Sequence, residues 1–219
     1  MWVRSVLPIA LLLALYSGLV GCASLSKKEC LGGDWRAIGL ADGQAGRTLE
    51  QLETHREACA AYAVQPDEDT YAAGRTVGLR AYCAAGHGFT VGSQGAAYQG
   101  VCPPLLEGAF LSAFESGRQL YVLRSEFERV DRQVSERENA LRSVEGDLLS
   151  LERAAASEPD ADRRRSLVRD LRRLAEERGR LRSEIDNLRG EQDYRGRRLE
   201  AFRAQLRRNP AYPTWQSNP

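Results

Sequence analysis

The chain has 219 residues, and its 31 basic side chains nearly balance its 30 acidic ones. This balance argues against the positive footprint of a nucleic-acid-binding protein, so no nucleic-acid partner is expected. The length leaves room for one modest core plus an extension.

Residues 1–21 predict a secretory signal peptide. One positive charge, Arg4, precedes an apolar run from Val6 to Gly21 that contains Pro8 and ends in small residues. A membrane-spanning helix needs about 20 apolar residues and a different flank, whereas a cleaved leader fits this pattern. The alternative is an uncleaved signal anchor.

The stretch Leu19-Val20-Gly21-Cys22 resembles the lipobox of bacterial lipoproteins. In such proteins the leader is cut before the cysteine, whose sulfur carries a diacylglyceryl group and whose freed amine is acylated. Each buried methylene adds about 0.8 kcal/mol of membrane affinity, so several chains anchor a protein stably. We therefore predict lipidation of Cys22 and a short linker over residues 22–29. Ala23, where an Asp would favour the inner membrane, implies the outer membrane, facing the periplasm.

A change in composition divides the rest of the chain. All but four of the 20 glycines, all cysteines and both histidines lie before residue 118, and the later sequence is mostly Arg, Glu and Leu. We predict a mainly α protein with a Gly/Cys-rich head over residues 30–104, a helical hairpin over 105–208 and a flexible tail over 209–219.

Two short helices and irregular turns are expected in the head. Apolar spacing predicts a helix over Thr48–Tyr62, and Pro66 to Asp69 starts a second one that ends near Tyr82. Around them the spacing G-x-x-x-G-x-x-G occurs at Gly39–Gly46 and again at Gly88–Gly95. It is not a phosphate-binding loop, and it favours two similar turns in which glycine supplies positive φ.

Four cysteines remain once Cys22 is lipidated. Their even number in an exported domain predicts two disulfides among Cys30, Cys59, Cys83 and Cys102. Two antiparallel short helices would hold Cys59 and Cys83 about 18 Å apart, too far to bridge. That leaves Cys30–Cys59 with Cys83–Cys102, favoured for its local loops, or Cys30–Cys83 with Cys59–Cys102.

The tail contains two heptad seams of apolar residues separated by a turn near 156–162, where Pro159 stops a helix. An antiparallel hairpin would bring the seams together with Arg137 facing Arg178. Parallel oligomeric coiled coils are the alternative. The predicted pairs are Leu148 with Leu167, Val144 with Leu171, Leu141 with Leu174, Val134 with Leu181, Val130 with Ile185, and Phe127 with Leu188.

The order and spacing of a set of residues between Cys30 and Tyr121 resemble the bacterial lipoprotein family catalogued as domain of unknown function 2799. The resemblance implies no activity, and the long tail is not part of it. The set comprises Cys30, Asp34, Trp35, Gly39, Asp42, Gly43, Gly46, His55, Cys59, Tyr71, Gly74, Arg75, Gly78, Leu79, Tyr82, Cys83, Gly88, Phe89, Gly92, Gly95, Tyr98, Val101, Cys102, Pro103, Phe110, Gly117 and Arg118.

Little in the sequence points to a reaction. His55 or His87 beside Asp34, Asp42 or Glu57 could form an acid–base pair, but no nucleophile motif is present. Five aromatic residues could line a ligand groove, although a plain aromatic core is the simpler interpretation. They are Trp35, Tyr71, Tyr82, Phe89 and Tyr98.

A Cys2His2 zinc set is conceivable, because His55-x-x-x-Cys59 and Cys83-x-x-x-His87 each place two ligands on one helix face. The separation of the two pairs disfavours it. We therefore expect no catalytic residue, no metal and no cofactor. The sequence predicts a structural or interaction protein of the cell envelope with a membrane anchor and a protein partner for the hairpin. An envelope hydrolase or zinc-binding protein is the alternative.

Overall fold

The structure is a computed structural model that describes residues 25–209. Every regular element in this range is helical, which confirms the mainly α prediction. Both helices expected in the head are present, but the glycine-rich segments predicted as irregular turns are helical too. The helices are α1 (Lys27–Gly32), α2 (Trp35–Gln44), α3 (Glu50–Ala60), α4 (Glu68–Tyr82), α5 (Ala85–Ser93), α6 (Pro104–Ser157) and α7 (Ala161–Arg207).

The described chain forms two compact units. The first unit contains residues 25–84 and 98–107, and the second contains residues 85–97 and 108–209. No helix in the described range is both long and apolar enough to cross a membrane.

Side-chain caps begin several helices at the residues where the sequence offers an acceptor. Asp34, Asp67 and Asp160 each accept a hydrogen bond from the backbone amide three residues later, at 2.8–3.0 Å. Ser26 and Glu29 form a reciprocal capping box at the start of α1. These caps satisfy amides that the first helical turn leaves without a partner.

Glycines bring α2 and α4 together in the first unit. A methyl group at Gly39 or Gly43 would overlap the backbone of α4, and one at Gly74 or Gly78 would overlap the backbone of α2. At Gly78 the added carbon would lie 2.7 Å from the amide nitrogen of Gln44. The first two glycines of the G-x-x-x-G-x-x-G spacing therefore serve close helix packing, and the prediction that they supply positive φ was wrong.

Only the third glycine of that spacing has the predicted backbone conformation. Gly46 follows the end of α2 with φ of 66°, and its α-carbon lies against the ring of Tyr82. A positive φ is cheap for glycine and strained for other residues. Gly46 thus combines a helix end with a close aromatic contact.

The second unit repeats this arrangement with α5 and α6. A methyl group at Gly88 would lie 2.5 Å from the carbonyl oxygen of Phe110, and Gly92 and Gly117 are equally enclosed by the facing backbone. Ala113, which is 1% exposed, occupies the place of the fourth glycine. Gly95 has φ of 74° and lies against the ring of Tyr121. Two helix pairs with the same spacing and the same contacts indicate an internal structural repeat.

The long helices α6 and α7 pack as an antiparallel pair within the second unit. Near the start of the pair the core combines residues of α5, α6 and α7. Nearer the loop, Val144, Leu148 and Leu174 form a buried cluster with Leu151, Leu171 and Leu181 at its edge. The core cluster that α5, α6 and α7 share contains Phe89, Ala113, Leu120, Leu123, Leu199, Phe202 and Leu206.

The register of the hairpin differs from the predicted one by about one heptad. Phe127, expected opposite Leu188, instead lies against Gly196, and Leu174 joins Leu148 where Leu141 was expected. A shift of seven residues brings seam positions opposite seam positions again, so heptad spacing alone does not distinguish the two registers. The loop, which is limited to residues 158–160, limits how the arms can align.

The new register also changes the surroundings of Arg137. Its Nε lies 3.0 Å from a carboxylate oxygen of Glu184, so the predicted layer of Arg137 against Arg178 was wrong. Further pairs between the arms join Arg182 to Glu145 and Arg189 to Glu138, each at 2.8 Å. Exposed pairs of this kind contribute little each, but they are consistent with one register.

Candidate functional site

Three of the helices in the first unit contribute one polar residue each to a buried cluster. Asp42 is on α2, His55 on α3 and Tyr71 on α4. The close approach of α2 and α4 through their glycines brings Asp42 near Tyr71. Of the acid–base pairs considered from the sequence, the structure forms the one between Asp42 and His55.

One carboxylate oxygen holds the cluster together. Oδ2 of Asp42 lies 2.7 Å from Nε2 of His55 and accepts a hydrogen bond from the Tyr71 hydroxyl at 2.8 Å. The two rings meet edge to face with centroids 6.1 Å apart. Burial raises the pKa of Tyr71, and the hydrogen bond to the Asp42 carboxylate raises that pKa further.

The burial of the cluster limits what it can do chemically. The His55 residue is 2% exposed and Tyr71 is fully buried, while the Asp42 side chain is 17% exposed. General acid–base catalysis needs the imidazole within hydrogen-bond reach of a substrate. This enclosed ring instead links three helices, and a buried network in which the polar atoms are bonded makes a core more specific.

The second helix pair shows that the fold does not require this cluster. Asp42 directly precedes Gly43, as Val91 directly precedes Gly92. Tyr71 lies three residues before Gly74, as Phe110 lies three residues before Ala113. Val91 and Phe110 are 8% and 0% exposed, so the second copy fills the same places with apolar side chains. The polar cluster is therefore a distinguishing feature of the first copy.

The cysteines form the disulfides favoured from the sequence. Cys30 bonds to Cys59 and Cys83 bonds to Cys102, with Cα–Cα distances of 5.4 and 5.6 Å. The Cys30–Cys59 bridge lies in a buried cluster with Leu25, Trp35 and Tyr71, so the first unit is cross-linked through its core. Cys22 lies outside the described residues, and its lipidation stays a prediction.

The disulfides also bear on the zinc alternative. A metal binds a cysteine as the thiolate, and the sulfurs of Cys59 and Cys83 are both in disulfides. His55 is held by Asp42, and His87 lies on α5 in the second unit. Within residues 25–209, no group of three or more His, Cys, Asp or Glu side chains is arranged to hold a metal ion.

The aromatic residues considered for a ligand groove are mostly core residues. Trp35, Tyr71, Tyr82 and Phe89 are between 0% and 6% exposed. The hydroxyl of the fifth, Tyr98, donates to Glu107 and accepts from the backbone amide of Cys102, each at 2.9 Å. The hydrogen-bonding role of Tyr71 was missed, because nothing in its local sequence marks Asp42, 29 residues earlier, as its partner.

The fold and these bonds define an all-helical, disulfide-linked class of protein built on a repeated glycine-packed helix pair. Residues 34–119 match the model of a family described as a protein of unknown function (DUF2799), and this part of the chain is similar to that family. The match begins at the N-cap of α2 and ends two residues after Gly117, so it covers both helix pairs. No curated protein and no solved structure matches the chain.

The Tyr71→Phe substitution tests the cluster through its pH dependence. Because the pKa of Tyr71 is raised by folding, the stabilisation from its neutral hydroxyl is complete below the ordinary tyrosine pKa of about 10 and is lost as the pH rises beyond it. We expect Tyr71→Phe to cost about 1 kcal/mol at pH 8 and to flatten the fall of the unfolding free energy above pH 10. Urea unfolding between pH 8 and pH 11 measures both effects.

Tyr194, an exposed tyrosine of the second unit, provides the control. Tyr194→Phe should leave the alkaline slope as it is in the wild type. An unchanged slope in Tyr71→Phe would contradict a buried hydroxyl bonded to Asp42.

Proposed function

We propose that this chain is a lipid-anchored protein of the bacterial cell envelope, held in the outer membrane through Cys22, whose helical hairpin contacts a protein partner in the periplasm. The observation that carries the proposal is the state of the four remaining cysteines. All four are paired in buried disulfides within the first unit, and such bonds persist in oxidising compartments outside the cytosol. The lipobox-like sequence before Cys22 is consistent with the same compartment.

The hairpin supports an interaction role. Its second arm, α7, has 47 residues, which at 1.5 Å per residue is a rod of about 70 Å. The core shared with α5 uses only Leu199, Phe202 and Leu206 from this arm, near its end. Most of the rod packs only against the other arm and presents charged faces, which suits recognition of another protein more than formation of a second core.

The buried cluster supports a role without catalysis. The Asp42–His55 pair is the arrangement most similar to catalytic machinery in the described chain, and its imidazole is enclosed. A hydrolase would need that ring open to a substrate. The cluster is better suited to stabilising the first unit.

Crosslinking in cells, with and without the hairpin, tests the proposal. Residues 125–195 are replaced by a short Gly-Ser turn, which keeps the core around Phe89, Leu123 and Leu199. We expect the wild type to give a defined crosslinked species that the shortened chain loses. Mass spectrometry of the same samples should find a mature chain that begins at Cys22 and carries the lipid.

Cys22→Ala is the matched control for the anchor, and it should retain the leader and lack the lipid. An identical set of crosslinks from the shortened chain would refute the role of the hairpin. An unmodified position 22 with the leader still attached in the wild type would refute the anchor.

A further inference from the structure

The beginning of α7 has an arginine-lined recess. Ala161, Arg164, Arg165, Val168, Arg169 and Arg172 line a shallow, open depression on the surface. Their spacing of three and four residues places them on one face of the helix. Four of the six lining residues are therefore cations on one side of the hairpin, next to its loop.

The arginines of this recess differ in their partners from three arginines further along α7. Arg182, Arg189 and Arg195 are paired with carboxylates of the opposite arm. Before the loop the opposite arm ends in the sequence Ala-Ala-Ala-Ser, residues 154–157, and none of its residues lines the recess. Within the described residues, the four arginines of the recess form no ion pair with the opposite arm, and Asp162 on the same helix is the carboxylate paired with one of them.

The four arginines have distinct roles. Arg164 donates two hydrogen bonds to the carbonyl oxygen of Glu158, at 3.0 and 2.6 Å, and so stabilises the loop. Arg165 is paired only with Asp162, one turn earlier on its own helix. Within residues 25–209, Arg169 and Arg172 form no ion pair, and both are exposed. Three guanidinium groups are thus accessible to a ligand.

Arginine in this arrangement suits a phosphate group. The planar guanidinium donates two parallel hydrogen bonds to two phosphate oxygens, and several such groups can surround one tetrahedral anion. Arginine is common throughout this chain, so composition alone does not indicate a site. The shared face, the recess and the absence of ion pairs with the opposite arm distinguish this group from Arg182, Arg189 and Arg195.

We propose that the recess formed by Arg165, Arg169 and Arg172 binds phosphate groups. The inference rests on the proposed function, because it names the chemistry that this end of the hairpin recognises in addition to a protein partner. A phospholipid headgroup and a soluble phosphate share this chemistry, and the experiment separates them.

Isothermal titration of the full chain in a neutral detergent tests the inference. The probes are tripolyphosphate, monomeric dihexanoylphosphatidylglycerol and the matching phosphatidylcholine. We expect the triple variant R165Q/R169Q/R172Q to weaken binding about tenfold or more, because hydrogen bonds from a charged guanidinium contribute more to the binding free energy than neutral ones. The variant R165K/R169K/R172K should recover only part of the affinity, because lysine keeps the charge and loses the paired geometry.

The matched control is R129Q/R132Q/R197Q, which removes the same charge from three other exposed positions of the second unit. It should leave the affinity unchanged. Tripolyphosphate binding alone would identify a soluble phosphate as the ligand, and phosphatidylglycerol binding without phosphatidylcholine binding would identify a lipid headgroup.

Three results would overturn the inference. They are the absence of binding to both phosphate probes, an equal loss of binding in the control variant, and equal binding of polyglutamate, which would indicate a general cationic face. Crosslinks that depend on the hairpin would remain in each of these cases, so failure of the phosphate site is separable from failure of the proposed function.

Discussion

Replacing Gly78 with alanine should lower the unfolding free energy of the first unit by about 3 kcal/mol, near the upper end of the range for overpacked cores. The added methyl carbon would overlap the carbonyl oxygen of Leu40 and would lie 2.7 Å from the amide nitrogen of Gln44 and 2.9 Å from the α-carbon of Gly43. All three atoms belong to the backbone of α2, so no side-chain rotation relieves the overlap. The two helices must separate, and the hydrogen bond between Asp42 and Tyr71 lengthens with them.

Hydrogen exchange measured by mass spectrometry on peptides from α2 and α4 detects this loss in the first unit. Gly86→Ala is the matched control, since Gly86 is also helical and nothing lies within 4 Å of its added carbon. That substitution should stabilise the protein by at most about 0.5–1 kcal/mol, which is the difference between alanine and glycine in a helix interior, because Gly86 lies in the first turn. Equal protection of α2 in Gly78→Ala and the wild type would contradict the close helix packing.

Removal of the Cys30–Cys59 disulfide should cost about 3–4 kcal/mol of unfolding free energy. The bridge closes a loop with a sequence separation of 29 residues, and the cost of opening it grows with loop length. Cys83–Cys102 closes a separation of 19 residues, so its removal should cost slightly less. Urea unfolding of Cys30→Ala/Cys59→Ala and of Cys83→Ala/Cys102→Ala measures the two values.

The oxidised wild type treated with a reductant provides a second measurement that involves no substitution. Cys30 and Cys59 are both 0% exposed, so we expect reduction to be slow in the native protein and fast in urea. A reduced protein as stable as the oxidised one would contradict a structural role for the bridges.

The long-range organisation of the hairpin was more predictable from the sequence than its details. Heptad seams and Pro159 are local signals, and they correctly indicated two helices that fold back on each other. The register depends on the difference in free energy between two alignments that both bury leucine and valine. The three-residue loop and the contact between Phe127 and Gly196 distinguish these alignments, and the spacing of the apolar seam reveals neither.

The glycine-rich segments were harder to interpret from the sequence. Glycine lowers helix propensity, so a stretch such as Gly39–Gly46 favours a turn when it is considered by itself. The close approach of a second helix reverses that preference, because only a residue without a side chain fits between the backbones of α2 and α4. The sequence pattern that indicates this close packing is a four-residue spacing of glycines on both helices, Gly39 with Gly43 and Gly74 with Gly78.

The candidate site was predicted in part. Asp42 and His55 were both considered as members of an acid–base pair, and of the two disulfide pairings left open, the one favoured for its local loops is the one observed. The sequence alone could not join Asp42 to His55 or add Tyr71, because the three residues meet only after α2, α3 and α4 have packed. The contrast with Val91 and Phe110 likewise becomes visible only when the two helix pairs are aligned by their contacts.

The division of the chain into two units has a consequence for the order in which the protein matures. The first unit includes residues 98–107, which follow the first thirteen residues of the second unit. When the chain is exported with its amino terminus first, Cys30 can pair with Cys59 early, whereas Cys83 can pair only after Cys102 has followed. A truncation before residue 102 would leave Cys83 without its disulfide partner. Because the two units alternate along the chain, a single cut cannot separate one from the other.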